Sequence, residues 1–282
     1  MKDCCDLHTH TTASDGSDTP YELVKKAKEA GLSGIAVTDH DTLAGIKEAM
    51  EAGDELGIEV IPGVELSVLS PQGNMHMLGY FIDTESAVLR EVLEKVQEAR
   101  ARRNPMILEK LVGMGRSVTM DELREIARGG QVGRPHIARA MLERGYVKTV
   151  GEAFARFLRN GGPAYVPKSI LKPAEAIRAV HSARGLSVLA HPVTLGCNEE
   201  ELDALLSQLK ENGLDGIECY YTEHSKPFTQ LCLKLAEKYR LLPTGGSDYH
   251  GEAKPHVKLG KGKGNLCVPR ACLDALKSAA GN

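Results

Sequence analysis

The chain has 282 residues, a net charge of −3, no Trp and four Phe. That length suits one barrel carrying an insertion, and the ordinary apolar and charged content predicts a packed globular enzyme. The weak negative charge and the few aromatics exclude a dedicated duplex binder and a stacking platform for long single strands, so no stable long nucleic-acid partner is expected.

The opening MKDCCDLHTH lacks the apolar core of a secretory signal, and no apolar run approaches the roughly 20 residues of a membrane span. Residues 2–7 read as a strand. Thr19-Pro20-Tyr21-Glu22 is a capping box with Pro at the first helical position, and Gly31 ends that helix. A strand is predicted at 35–38, a helix ending near Gly57, and further strands at 59–64 and 75–82. This alternation predicts parallel strands with helices outside.

The rhythm breaks near Arg100. Residues 100–168 show helical patterns punctuated by Gly129-Gly130 and Gly161-Gly162-Pro163, with no convincing strand. This stretch holds fourteen Lys or Arg against six Asp or Glu, a net of +8, which leaves −11 for the rest of the chain. An acidic barrel suits cations and a basic insert suits an anionic substrate, although most of these arginines read as solvated helix faces. After Lys168 the alternation resumes, with strands at 186–190 and 215–219, helices at 199–212 and 226–239, a short extended piece at 241–244, a strand near Leu266 and a last helix opened by Pro269. The division expected is a barrel of residues 1–99 and 169–282 with a helical, substrate-binding domain of 100–168 inserted into it. The Lys- and Gly-rich stretch 251–265 reads as a surface loop or a mobile flap.

Seven cysteines stand at 4, 5, 197, 219, 232, 267 and 272. An odd number without a CxxC pair predicts reduced, mostly buried thiols rather than a disulfide framework or zinc ribbon, and with the missing signal it points to the cytoplasm.

Ligand-type side chains recur where strands end. His8 and His10 lie two apart and so face one way. Asp15 follows in the loop, His40 comes just after 35–38, Glu65 after 59–64, His191 after 186–190, and Asp248 and His250 after the last extended piece. Parallel barrel strands converge at that end, where active sites are built. One histidine would be weak testimony; a purely structural account needs a separate reason for each. Imidazole and carboxylate without thiolate suit Mn²⁺, Zn²⁺ or Fe²⁺, and the ligands outnumber those of one tetrahedral ion, so two or three divalent ions are implied, manganese first.

The strings DLHTHTTASDG, TDHDT, GVE, AHP and GSDYH resemble the polymerase-and-histidinol-phosphatase (PHP) family over nearly the whole chain, and within it the small-molecule branch typified by 3',5'-nucleoside bisphosphate phosphatases. The resemblance implies a distorted (β/α)7 TIM-like barrel and a trinuclear site. It implies one ion held by His8, His10, Glu65 and Asp248. Glu65 would bridge to a second, held also by His76 and His191, and Asp15, His40 and His250 would hold a third. His76 lies inside a strand rather than at its end, so a structural role is its alternative. Asp15 stands where some branches carry histidine. The implied chemistry is attack on phosphorus by a hydroxide bridging the ions. Asp39 is expected to orient His40 or to cap a helix.

The resemblance also implies substrate contacts from Arg134, at the opening of a helix, from Lys168, and from His224 as phosphate ligand or proton donor to the leaving oxygen. Spacing alone leaves surface or capping roles open for all three. The expected substrate is a small phosphorylated metabolite, first a nucleoside 3',5'-bisphosphate losing its 3'-phosphate, with the 5' end of short RNA beside it. A ribose cyclic phosphate, histidinol phosphate and a non-catalytic metal-binding module are the alternatives.

Overall fold

The computed structural model describes residues 3–69, 75–167, 171–264 and 266–281. The short strand β1 (Cys4–Cys5) leads to helix α1 (Pro20–Glu29), β2 (Gly34–Val37), α2 (Ile46–Leu56), β3 (Glu59–Val68) and β4 (Met75–Tyr80). The α1 start is the capping box read from sequence: Thr19 accepts from the Glu22 N–H and Glu22 returns to the Thr19 N–H. Helix α3 (Ala87–Gly113) follows, then α4 (Met120–Ala127), α5 (Arg134–Glu143), α6 (Val150–Ala153) and a π-turn at Phe154–Leu158. The last part contains α7 (Pro173–Ser182), β5 (Leu186–Leu189), α8 (Glu199–Glu211), β6 (Gly216–Tyr221), α9 (Lys226–Tyr239), β7 (Leu242–Gly246), β8 (Val268–Pro269) and α10 (Arg270–Ala280).

Six strands form one curled half-barrel sheet in the order β2-β3-β4-β5-β6-β7, within a mixed α/β fold. Residues 6–10 lie across the gap between its ends. Asp6 bridges to Ile35, Thr9 to Tyr249, and the Leu7 N–H donates to the Gly245 carbonyl at 3.1 Å. Gly246 is packed so closely on this segment that a Cβ there would meet the His8 Cβ at 2.3 Å, so only glycine fits.

The sheet departs from the all-parallel pattern expected. β4 runs antiparallel to both β3 and β5. The six residues between Val68 and Met75 cannot make a parallel crossover, which needs a dozen or more. The hairpin also lengthens β3 to Val68, so Glu65 lies inside that strand rather than after it. Antiparallel direction puts the first residues of β4 at the mouth where the parallel strands end. His76 opposes Ser67, and so faces the same way as Glu65, its diagonal neighbour.

Apolar packing separates the chain into regions. Leu7, Ile61, Leu78, Tyr80 and Val188 fill the space beneath the mouth, and the Tyr80 hydroxyl donates to the Leu7 carbonyl at 2.7 Å. A distinct cluster, including Ile107, Leu111, Leu123, Ile137, Met141 and Leu158, draws its buried residues only from 107–166. The expected boundary at residue 100 falls inside α3, which runs unbroken from the sheet into this cluster. The 251–264 stretch is fastened rather than free. Leu259 joins the core under α1 and α2, and the Gly260 N–H donates to buried Asp6 at 2.7 Å. Among the described residues no helix is long and apolar enough to cross a membrane.

The cysteine expectation is corrected at one pair. Cys4 and Cys267 form a disulfide with Cα atoms 5.4 Å apart, because antiparallel β1–β8 pairing brings the two ends of the chain together. The other five cysteines are free, and four of them are buried. A cross-link closing so long a loop stabilises by about 2–4 kcal/mol. Dithiothreitol should therefore lower the thermal midpoint of the wild type but leave that of Cys4→Ser unchanged. Identical responses in melting curves would show that the bond contributes nothing.

Candidate metal centre

Glu65 is fully buried on β3 and is surrounded by five imidazoles from four segments. Its Oε2 lies 3.3 Å from His8 Nε2, 3.2 Å from His10 Nε2 and 2.9 Å from His40 Nδ1. Its Oε1 lies 2.7 Å from His76 Nδ1 and 2.9 Å from His191 Nε2. Asp248 Oδ1 adds a carboxylate 3.3 Å from His10 Nε2, and Asp15 sits 3.3 Å from His250 Nε2. All nine ligand residues expected from sequence thus lie in one cluster. Their donor atoms make four groups tight enough for an ion: His10, Asp15, His40 and His250; His8, Glu65 and His191; His8, His10 and Asp248; and His40, Glu65 and His76.

Buried carboxylates outside these groups aim the ligands. Glu218, on β6, accepts from His8 Nδ1 at 3.1 Å through one oxygen and from the His191 N–H at 2.6 Å through the other. Asp6 accepts from the Ser247 N–H and hydroxyl, next to Asp248. Asp41 accepts from the Ser67 N–H at 2.7 Å and takes a hydrogen bond from Arg100. Asp39 does not hold His40 and caps no helix. It accepts from the Thr11 N–H and hydroxyl and from Ser14, fixing the loop that carries Asp15. His191 and Asp248 have φ of 26° and 57°, a region where non-glycine residues are strained by about 1–3 kcal/mol. The Glu218 bond and the bond from the Asp248 N–H to the His8 carbonyl at 2.9 Å hold them there.

The donor set fits divalent ions. His8 Nδ1 is occupied by Glu218, His191 Nδ1 by the Thr194 hydroxyl and His250 Nδ1 by the Asp248 carbonyl, which leaves each Nε2 lone pair facing the cluster. His8 Nε2, both nitrogens of His10, His40 Nδ1 and Glu65 Oε2 are buried without a hydrogen-bond partner among the described residues. Burial pulls Glu65 upward, but the surrounding imidazoles of His40, His76, His8 and His10 hold it well below the usual carboxylate range. Burial opposes charge on His10 too, yet the close carboxylates of Asp248, Glu65 and Asp15 raise it to about 9. His76 moves the other way, to about 4, because burial and the nearby His40 and His191 outweigh Glu65. Without cations the site shares protons unevenly among close groups, which cations in their place would relieve.

The cluster opens into a cavity of about 230 Å³, lined by Asp15, His40, His76 and His250 together with Arg100, Arg103, Arg134 and Lys254. Two larger clefts, about 730 and 900 Å³, carry none of the expected ligand residues. Arg134 donates to the Leu158 carbonyl at 3.0 Å and lies over the rings of Phe154 and Tyr165. Lys168 lies outside the described residues. His224 does not line the cavity. It packs beside Tyr221, whose hydroxyl donates to Asp248 at 3.0 Å. Its Nδ1–H donates to the Cys219 carbonyl, so neutral His224 presents Nε2 as an acceptor, and burial lowers its pKa. That favours accepting a hydrogen bond over delivering a proton. Sequence reasoning missed Asp6, Asp41, Tyr221, Arg100, Arg103 and Lys254. Asp6, Asp41, Tyr221 and Arg100 are defined by distant partners, whereas Lys254 donates to Asp248 at 2.8 Å six residues away and Arg103 is placed only by the cavity it lines.

A family model described as the PHP domain matches residues 6–238. The chain is 33% identical to the 5'-3' exoribonuclease Rnm of Escherichia coli, covering 91% of this chain and 88% of the relative. It is 34% identical to a phosphoribosyl 1,2-cyclic phosphate 1,2-diphosphodiesterase of Eggerthella lenta, covering 89% and 97%. It is 30% identical to a 3',5'-nucleoside bisphosphate phosphatase of Chromobacterium violaceum, covering 87% and 86%. A solved chain from Bifidobacterium adolescentis, described as a metal-dependent phosphoesterase, superposes with a TM-score of 0.88 at 31% identity over 98% of this chain and 96% of its own.

Glu218 touches two ligand residues but belongs to none of the ion-sized groups, so its part is to aim them. Glu218→Gln should weaken Mn²⁺ binding by about 10–100-fold in calorimetric titration while the far-UV spectrum stays native. An unchanged dissociation constant would remove Glu218 from the site.

Proposed function

The chain belongs to the PHP domain family and is a metal-dependent phosphoesterase; from that premise we propose that it acts on 5'-phosphorylated nucleosides, breaking the phosphoester at the 3'-oxygen. Nucleoside 3',5'-bisphosphates are the first such substrate, and the 5' end of a short RNA presents the same arrangement. The observation that carries this reading is the cavity whose lining combines members of the ligand cluster, His40, His76 and His250, with the basic side chains of Arg103 and Arg134. A reacting phosphate needs the first, and a second phosphate needs the second. The family resemblance and the Escherichia coli and Chromobacterium violaceum relatives support the same choice.

We assign His8, His10, Glu65 and Asp248 to one ion. Glu65, His76 and His191 would hold a second, and Asp15, His40 and His250 a third, with manganese first among the candidates and zinc or iron behind it. Bound cations supply Lewis acidity and an activated water. The protein's own groups do the rest. Glu218 and Asp6 keep the ligands aimed, and Tyr221 and Lys254 hold the outer oxygen of Asp248. Arg134 pairs with phosphate, assisted by Lys168. His224, set back from the cavity, steadies the Tyr221 ring from behind. Residues 100–168 act as the substrate-binding domain.

The Eggerthella lenta relative favours a second reading, hydrolysis of a ribose cyclic phosphate. Histidinol phosphate is the weaker substrate, since that branch of the family usually lacks the inserted segment. The Mn²⁺-loaded protein should hydrolyse adenosine 3',5'-bisphosphate with a kcat/KM about tenfold or more above that for ribose 1,2-cyclic phosphate 5-phosphate or histidinol phosphate, a difference of about 1.4 kcal/mol. The reverse order would replace the reading with the cyclic one, and no phosphate release from any of them would end both. Arg134→Ala should raise KM about tenfold with kcat little changed. An unchanged KM would take Arg134 off the cavity wall.

A further inference from the structure

The ligands of the metal centre differ in what holds them. His8 and His191 are aimed by Glu218, and Asp248 by Tyr221 and Lys254, all of them outside residues 100–168. Asp15 and His40 are held otherwise. Asp15 Oδ1 lies 3.3 Å from His250 Nε2, and Asp15 Oδ2 lies 3.9 Å from His40 Nε2. The residues next to Asp15 and His40 are gripped by the helical insert and by the helix that carries it.

One arm comes from α3. Asp41 directly follows His40 and has φ of 53°, a conformation that strains any residue but glycine. Gln97 donates to the Asp41 carbonyl at 2.8 Å, and Arg100 bonds the Asp41 carboxylate. Residues three apart share a helix face, so α3 grips Asp41 by its backbone and by its side chain together. A shift of α3 therefore moves the peptide on which the His40 imidazole is mounted.

The other arm is the turn before α5. A Cβ on Gly130 would meet the Thr12 carbonyl oxygen at 2.1 Å and the Ser14 carbonyl oxygen at 3.2 Å, so no side chain fits there unless backbone gives way. The Gln131 N–H donates to the Ala13 carbonyl at 3.2 Å. Asp39 fixes the same loop from the barrel, which leaves the segment before Asp15 held between barrel and insert. The two arms are one piece. Asn104 of α3 donates to the Val132 carbonyl at 2.9 Å, and Gly133 lies against Arg100, whose Nη1 a Cβ there would meet at 2.9 Å.

We propose that the helical insert completes the position of the third ion, its two arms setting Asp15 and His40 together, so that affinity for this cation alone follows how the insert seats on the barrel. This rests on the assignment above of Asp15, His40 and His250 to a third ion. Linkage makes the effect reciprocal: what seats the insert tightens the third ion, and the third ion seats the insert. Gln97 and Gly130 are positioning residues in this account, since neither lines the cavity.

The test is Mn²⁺ titration of the EDTA-treated, full-length protein by calorimetry, with native mass spectrometry counting the ions. Asp15→Ala marks the binding step of the third ion as the one it abolishes. That step should weaken about tenfold or more in Gly130→Ala and in Gln97→Ala, and further in Gly130→Val, while the other two stay within about threefold of the wild type. Leu209→Ala truncates a buried side chain of α8 and touches neither arm, so it should melt earlier yet keep all three steps. Equal weakening of every step in the arm variants, an unchanged third step, or a wild type that binds only two ions would overturn the proposal. Should Gly130→Ala not fold, Gln97→Ala carries the same comparison. The titration contains no substrate, so a wild type that releases no phosphate would end the proposed activity without deciding this result.

Discussion

One buried carboxylate organises this protein. Glu65 is fully buried and is compensated by five imidazoles drawn from four separate segments. An ionised group in such a place is tolerable only with close opposite charge and well-aimed donors. Each histidine must therefore arrive from the right direction. The curl of the sheet, the close pass of residues 6–10 over Gly246 and the reversal at β4 all serve that convergence.

The ring of aspartates and glutamates behind the histidines has a common chemistry. Asp6, Asp39, Asp41 and Glu218 each accept from backbone N–H groups as well as from side chains. A carboxylate that ties down backbone fixes where the next residue's side chain begins. Asp6 fixes Ser247 before Asp248, Asp39 fixes the turn before Asp15, and Glu218 fixes the peptide of His191. Cation binding to such a frame needs little rearrangement, because the strain at His191 and Asp248 is already present in the fold.

Much of the centre was legible because strand ends are local signals. His8 and His10 reveal themselves by spacing two apart, and His40, His191, Asp248 and His250 by following short apolar runs. His76 was harder. Its place is explained only by the reversal of β4 against β3, which the alternation of strands and helices does not announce. Cys4 and Cys267 were hidden by an odd count and by a separation of 263 residues. Arg103 was invisible for a different reason. It is one of fourteen basic residues in a segment whose charges read as solvated faces, and lack of a partner is a property of three dimensions.

The basic wall is nevertheless placed by the same carboxylate. The Asp41 N–H donates to the Glu65 carbonyl at 2.9 Å, and its carboxylate receives the Ser67 N–H from the next turn of the same strand face. Arg100 reaches Asp41 from α3, a helix that continues without interruption into the 107–166 core. An α-helix is stiff over these few residues, so Arg103 is held at a fixed offset from Glu65 through Asp41 and Arg100. The link makes the spacing between metal centre and basic wall a property of the fold rather than of flexible side chains.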